Sequence, residues 1–352
     1  MHVARYMVGA LMLLGLVPPN KAEAAPIPPA APVSAANVTN AIAAAPAILA
    51  AAAEPDVRSK DFTVPPVEYG KWLGTGYGAY LAPKNLDVGA DGGVDLMIHL
   101  NGAMMADKEW RESGLNAVIA SIAIREVVGS AGYAKLFASP GYLDFVVRST
   151  FADMKSKGEK RPLHLRRLGV VSWSAGMGGV GALLGNSETA QKIDAVVLLD
   201  SAHAPYADPK SGQVLMGNPT NPAMGRGVEW VDTKSIGKFV RFAEKAKEGA
   251  KALVMSSSSI LPPDYASCAE TIEAIMNQVH VTGTGVQEKN GLGMTLKWKS
   301  DAGALHGRMW RGGGPHDHFD QLHLVGEMMR AFVSPRWNRL AAQDRGFRSA
   351  GL

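Results

Sequence analysis

Five short, almost wholly apolar runs constrain the fold more than any other feature of the sequence. They occupy residues 94–100, 117–124, 168–172, 193–199 and 252–256. Segments with apolar residues at helical spacing, such as residues 141–155, lie between them. Continuous apolar strands that alternate with helices predict an α/β fold, in which helices cover both faces of a mostly parallel central sheet. Such sheets bind ligands at the carboxyl ends of their strands, so the residues just past each run are the candidates for chemistry.

The N-terminal region has the composition of a targeting segment rather than of a packed domain. Residues 1–24 have the pattern of a secretory signal peptide: a weakly basic start, an apolar run over residues 7–17, and a small-x-small site at residues 22–24. Residues 25–56 hold 14 alanines and 6 prolines and little bulky apolar surface, which predicts a spacer. We therefore expect an exported protein, periplasmic or extracellular, with no stable membrane insertion after signal cleavage.

The remainder, residues 57–352, has the length of one large α/β domain, with a modest lid insertion at about residues 203–249. The single cysteine, Cys268, excludes an intrachain disulfide framework. The net charge is +4, and no block of lysine and arginine is long enough to indicate a nucleic-acid partner. The oligomeric state stays open.

The stretch at residues 168–184 begins with one of the apolar runs and continues into a glycine-rich turn. It holds candidate catalytic residues. Within it, Ser172-Trp173-Ser174-Ala175-Gly176 has the pattern of a nucleophile elbow, with serine in place of the usual first glycine. An elbow needs small residues two positions either side of the nucleophile, because the chain turns sharply there from strand to helix. This interpretation exposes Ser174 and directs the backbone N–H of Ala175 at a developing oxyanion.

A second interpretation of the same turn is the dinucleotide-binding fingerprint of a nucleotide-binding oxidoreductase. Gly176, Gly178 and Gly181 match G-x-G-x-x-G between a strand and a helix, and Asp200 ends the next strand. A third is that the glycines only let the helix pack closely. The elbow is favoured because at least two strands precede the turn, because export separates the protein from cytoplasmic nucleotides, and because histidines follow near the C-terminus.

With the turn at residues 99–102 and the histidines of residues 316–318, the elbow makes the chain resemble the α/β-hydrolase superfamily over residues 62–333. The resemblance implies hydrolysis of an ester, lipid or amide through a Ser-His-Asp triad. Ester cleavage of a small or polymeric substrate is our first expectation, without a cofactor. It also implies a second oxyanion donor, the backbone N–H of Gly102 or Ala103. A catalytically silent binding module on the same fold remains an alternative.

The resemblance implies a base and an acid, and each has two candidates. His318 is favoured over His316 as the base, because it lies at the start of the last predicted helix. The His-x-His pair has no clear third ligand, so no metal is expected. Asp200 is favoured over Asp264 as the acid, because it stands directly at a strand end. Asp320 is a third, weaker candidate.

Overall fold

The computed structural model of the protein describes residues 66–124, 129–215 and 227–349. The predicted signal peptide and spacer lie outside these residues, as do Met216 and Met224 of the predicted lid.

Ten strands form the central sheet, in the order β1-β2-β4-β3-β5-β6-β9-β12-β11-β10, and β7 and β8 form a separate pair. The strands are β1 Leu73–Thr75, β2 Gly78–Leu81, β3 Gly93–Leu100, β4 Val118–Ile122, β5 His164–Trp173, β6 Ile193–Leu199, β7 Tyr206–Ala207, β8 Val214–Leu215, β9 Ala252–Ser257, β10 Thr284–Lys289, β11 Thr295–Ala302 and β12 Leu305–Trp310. The six central strands, β4 to β12 in sheet order, run parallel, and the flanking pairs are antiparallel.

Helices connect the parallel strands. They are α1 Asp107–Arg111, α2 Ser130–Ala138, α3 Tyr142–Ser156, α4 Met177–Gly185, α5 Ser187–Lys192, α6 Thr233–Lys247, α7 Cys268–Gln278, α8 Pro315–His323, α9 Val325–Met328 and α10 Ser334–Ser349. Short 3₁₀ turns cover Ala103–Ala106, Ser174–Gly176 and Val228–Trp230, and a π-helical turn, Met329–Val333, joins α9 to α10.

The alternation of side chains along the buried strands produces two cores, one on each face of the sheet. On β3, Leu96 and Ile98 face a core shared with α2, α3, α4, α6 and α7, whereas Met97 between them faces a core shared with α1, α8, α9 and α10. Both faces of these strands are therefore removed from water, which explains their near-continuous apolar sequence. The predicted fold class, a mostly parallel α/β sheet with helices on both faces, is confirmed.

The segment predicted as a lid divides into two parts. Its C-terminal part, α6, is capped by Asp232, whose carboxylate accepts from two backbone N–H groups of the first turn. Phe239 and Phe242 of this helix are buried in the first core, so they cover the sheet rather than line a pocket. Its N-terminal part includes the β7–β8 hairpin, whose Tyr206 is also buried in the first core. Within the described residues, no helix is both long and apolar enough to cross a membrane.

Candidate active site

Backbone strain is concentrated at one edge of the sheet. Of the four described non-glycine residues with positive φ, three directly follow a parallel strand: Asn101 (φ 70°) after β3, Ser174 (φ 53°) after β5 and Asp200 (φ 43°) after β6. Such a conformation costs on the order of 1–3 kcal/mol per residue and persists only where the surroundings enforce it. These strands are neighbours in the sheet, so the three residues leave it side by side. Strain clustered in this way is typical of a functional site.

The turn at Ser174 is a sharp strand-to-helix reversal that depends on small neighbours. A Cβ added to Gly176 would lie 2.5 Å from the carbonyl oxygen of Leu100, so only glycine fits there. Ser172, two residues before the turn, is fully buried, and its Oγ lies 2.7 Å from Oγ of Ser201. The hydroxyl of Ser201 in turn donates to the carbonyl oxygen of Ser174 at 3.0 Å. Ser172 is therefore a structural residue beneath the turn, and Ser174 itself is partly exposed above it.

Atoms of neighbouring helices fill the space around the glycines of the G-x-G-x-x-G pattern. A Cβ on Gly178 would lie 1.8 Å from the carbonyl oxygen of Ser130, at the start of α2, and the N–H of Gly178 donates to Oγ of Ser130 at 3.1 Å. At Gly181, a Cβ would lie 3.1 Å from Nζ of Lys238 on α6. The glycines let α2 and α6 approach α4. A pyrophosphate would have to displace α2.

Asp200 and His318, predicted as acid and base, are hydrogen-bonded to each other although they are 118 residues apart in sequence. Nδ1 of His318 lies 2.7 Å from Oδ2 of Asp200. The same oxygen accepts from Oγ of Ser258 at 2.7 Å, and Oδ1 accepts from the N–H of Ser258 at 3.0 Å. Burial raises the pKa of Asp200, but the bonds from His318 and Ser258 outweigh it and hold the pKa below its usual value. The carboxylate is therefore charged at neutral pH.

Trp173 holds His318 in position. The two rings are stacked, with centroids 5.0 Å apart and an interplanar angle of 28°. Nε1 of Trp173 also donates to the carbonyl oxygen of His318 at 2.9 Å. The carbonyl of Trp173 accepts from Nδ2 of Asn101 at 3.2 Å, which links the turn after β3 to the elbow. His318 is held in position both through the face of its ring and through its backbone carbonyl.

The turn after β3 lies against the elbow as the sequence predicts. Gly102 has φ 91°, which favours glycine, and a Cβ there would lie 3.1 Å from the ring of Trp173. Gly102 is the N-cap of the 3₁₀ turn that begins at the buried Ala103. Ala175 lies in the first turn of the other helical segment, Ser174–Gly176. The first N–H groups of a helix lack acceptors within it, so the two helix starts offer donors on either side of Ser174.

Along the chain, a parallel strand with its glycine turn is followed by a second strand, a serine elbow, an acid at the next strand end and a histidine before the C-terminal helices. This order of strands and residues is the one that the resemblance to the α/β-hydrolase superfamily implies.

Solved structures similar to this chain include three enzymes. They are a prolyl endopeptidase (15% identity, 76% of this chain, 39% of that chain, TM-score 0.34), the feruloyl esterase module of Clostridium thermocellum complexed with sinapinate (10%, 77%, 91%, 0.37) and an esterase of Pyrococcus furiosus (12%, 76%, 93%, 0.33). The chain thus spans well under half the length of the prolyl endopeptidase. No protein-family model and no curated protein matches the sequence.

The competing histidine and acids lie apart from the paired residues of this fold. His316 has 94% of its side chain exposed, and its Nδ1 lies 3.8 Å from Oδ1 of Asp320 on the surface of α8. Asp264 is exposed in the loop before α7. His323, which the sequence places on a helix surface, is partly buried, with Nδ1 2.8 Å from Oε1 of Glu109.

His99, predicted to be a packed strand-end residue, lies inside the second core. Its Nδ1 accepts from Nε1 of Trp110 at 3.0 Å, and burial lowers its pKa to about 3. It is therefore neutral and structural.

Two features beside Asp200, a serine and a cysteine–histidine pair, were not predicted from the sequence. Ser258 binds both carboxylate oxygens, and its position one residue past β9, in a run of four serines, is the signal that could have identified it. Sγ of Cys268 lies 3.3 Å from Nδ1 of His203. Burial raises the pKa of Cys268 and lowers that of His203 to about 4, so both are neutral, the reverse of a thiolate nucleophile. No sequence pattern marks this pair.

The described residues bring together no group of three histidine, cysteine, aspartate or glutamate side chains that could hold a metal ion.

Proposed function

We propose that the protein is a serine hydrolase that cleaves carboxylic esters, with Ser174 as nucleophile, His318 as base and Asp200 as acid. The observation that carries the proposal is the partly buried hydrogen bond between Nδ1 of His318 and Asp200, at the strand end next to the strained Ser174. Residues 173 and 199 are paired between β5 and β6, so Ser174 and Asp200 leave the sheet together. The acid fixes the tautomer with Nδ1–H, which directs Nε2 to the serine.

The chemistry follows in two balanced steps. Nε2 of His318 takes the proton from Oγ of Ser174 as that oxygen attacks the ester carbonyl carbon. The tetrahedral intermediate collapses, His318 gives the proton to the leaving alcohol, and an acyl-serine remains. Water then repeats the attack with His318 as base, and the carboxylic acid leaves as the serine regains its proton. No cofactor enters either step.

Two further features support this assignment. The N–H of Ala175 and that of Gly102 or Ala103 are the proposed oxyanion donors, which would stabilise the charge on the carbonyl oxygen by about 3–4 kcal/mol per donor in the transition state. The imidazolium formed in the first step would lie between the Asp200 carboxylate and the face of the Trp173 ring, and both interactions favour a cation.

Labelling with a fluorophosphonate tests the nucleophile directly, because the reagent modifies only an activated serine. We expect the wild-type protein to be labelled and Ser174→Ala to be unlabelled and inactive on p-nitrophenyl acetate. Ser187→Ala is the matched control, since Ser187 is an exposed serine at the start of α5, and it should label fully. Labelling that survives Ser174→Ala would refute the assignment. An unlabelled wild-type protein would favour the silent binding module.

The preference for esters over amides needs a separate comparison. We expect kcat/KM for p-nitrophenyl esters to exceed that for p-nitroanilide and peptide substrates of matched acyl group by orders of magnitude. Equal or better cleavage of the amides would make the protein a peptidase or amidase with the same catalytic groups.

We also propose that the protein is exported, on the sequence of residues 1–24 alone. Expression with an epitope tag at the C-terminus, followed by cell fractionation and N-terminal sequencing, should yield a mature chain outside the cytoplasm that begins at Ala25. A full-length chain in the cytoplasmic fraction would contradict this proposal.

A further inference from the structure

Exposed apolar side chains are concentrated beside the candidate active site. Seven large apolar residues are exposed among those that the structure describes. Four of them lie on the loops that follow β3 and β9, the strands on either side of β5 and β6: Met104 (53% exposed), Met105 (53%), Leu261 (65%) and Tyr265 (39%). Single exposed apolar residues are ordinary on a protein surface, but a cluster of them beside a polar site indicates a binding surface.

The strand order places these four residues on opposite sides of the reactive serine. Met104 and Met105 belong to the 3₁₀ turn that follows β3, and Leu261 and Tyr265 belong to the loop that follows β9. In the sheet, β5 and β6 separate β3 from β9, and Ser174 and Asp200 follow these two strands. Three strand intervals span about 14 Å, so the loops that carry the two apolar flanks leave the sheet about that far apart, a span comparable to an extended small ester.

Contacts of the β9 loop tie its flank to the catalytic groups. Ser258, which precedes Leu261 by three residues, binds the Asp200 carboxylate, and the N–H of Ser259 donates to the carbonyl oxygen of Gly312 at 2.7 Å, in the loop before α8. The ring of Tyr265 lies edge-on to His203, with centroids 5.2 Å apart. The exposure of this flank is thus a property of an anchored loop, and two prolines after Leu261 stiffen it further.

We propose that the preferred substrates are esters with apolar groups on both sides of the scissile bond, one against Met104 and Met105 and the other against Leu261 and Tyr265. This inference rests on the proposed function. Methionine side chains are flexible and polarisable, so their flank accepts chains of various shapes. Tyr265 offers a flat ring to the other group. Each methylene group that is fully buried against such a surface raises the binding constant of the substrate about fourfold.

Two substrate series measure the two sides separately. The acyl series is p-nitrophenyl acetate, butyrate and octanoate, and the alcohol series is ethyl, butyl and octyl acetate, followed by proton release. The variants are Met104→Ser with Met105→Ser on one flank, and Leu261→Ser with Tyr265→Ser on the other. Leu292→Ser is the matched control, because Leu292 is 50% exposed in the turn between β10 and β11, and three strands separate β10 from β6 in the sheet.

In the wild-type protein we expect kcat/KM to rise at least tenfold from the shortest to the longest member of both series. Each double variant should flatten one series, with the loss in KM, while Leu292→Ser keeps both slopes. Flat wild-type series, or an equal loss of slope in Leu292→Ser, would overturn the proposal even if Ser174 is labelled by fluorophosphonate. Absence of labelling would instead refute the hydrolase function itself.

Discussion

Replacement of Asp200 by asparagine tests the hydrogen-bond network at its centre. In one orientation of the amide, Oδ1 keeps the bond from the N–H of Ser258 and Nδ2 faces Nδ1 of His318. In the other, Nδ2–H faces the N–H of Ser258, so that two donors meet. The first orientation therefore prevails. It makes Nδ1 of His318 an acceptor and leaves the proton on Nε2, where it blocks transfer from Ser174.

The expected loss in kcat is about 10⁴-fold, or about 5 kcal/mol in the activation free energy, as is typical of a triad whose acid becomes an amide. KM should change little, because Asp200 is buried beneath the imidazole and does not contact substrate. Steady-state kinetics on p-nitrophenyl acetate measure both constants. Asp264→Asn is the matched control and should keep kcat, since that side chain is exposed. A large loss of kcat in Asp264→Asn, with none in Asp200→Asn, would refute the reasoning.

Three further predictions concern the base, the helix packing and pH. His318→Ala should lower kcat at least about 10³-fold and His316→Ala less than about threefold in the same assay; the reverse ranking would move the base to His316. Gly178→Ala should lower the free energy of unfolding in urea by about 1–3 kcal/mol, because its Cβ meets a carbonyl oxygen at 1.8 Å, whereas Gly185→Ala, with open space around it, should not. Because the folded pKa of Asp200 is depressed below 3.8, its carboxylate adds stability above that value and loses it as pH falls through the folded pKa. The stability difference between wild type and Asp200→Asn should therefore shrink as the pH falls below 3.8; a difference that grows in acid would contradict this.

The parallel strands were predictable because both of their faces are buried. The run at residues 193–199 coincides with β6, and the run at 252–256 lies within β9. The strand β10 was missed for the opposite reason: nearly every one of its side chains is exposed, and its Glu288 pairs with Lys299 of β11. A strand that keeps its side chains in water leaves no apolar pattern in the sequence.

The site was predictable where its chemistry is local and ambiguous where it depends on tertiary contacts. The small residues around Ser174 mark the elbow, but they also form a nucleotide fingerprint, and only the approach of Ser130 from another helix shows why Gly178 is glycine. His316 and His318 lie two residues apart, which is about 200° around a helix, so they face opposite ways. Which of them points inward is fixed by a contact 118 residues away.

The left-handed backbone at residue 174 favours glycine for stability, whereas the proposed catalysis requires serine. Glycine adopts φ 53° without the steric penalty of a side chain, so Ser174→Gly should raise the free energy of unfolding by about 1 kcal/mol while it removes the proposed nucleophile. Selection of random variants for heat resistance alone should then enrich glycine at this position and discard the active protein. Persistence of a serine here therefore requires a benefit other than stability. Engineering of this chain by thermal selection therefore needs an activity screen beside it.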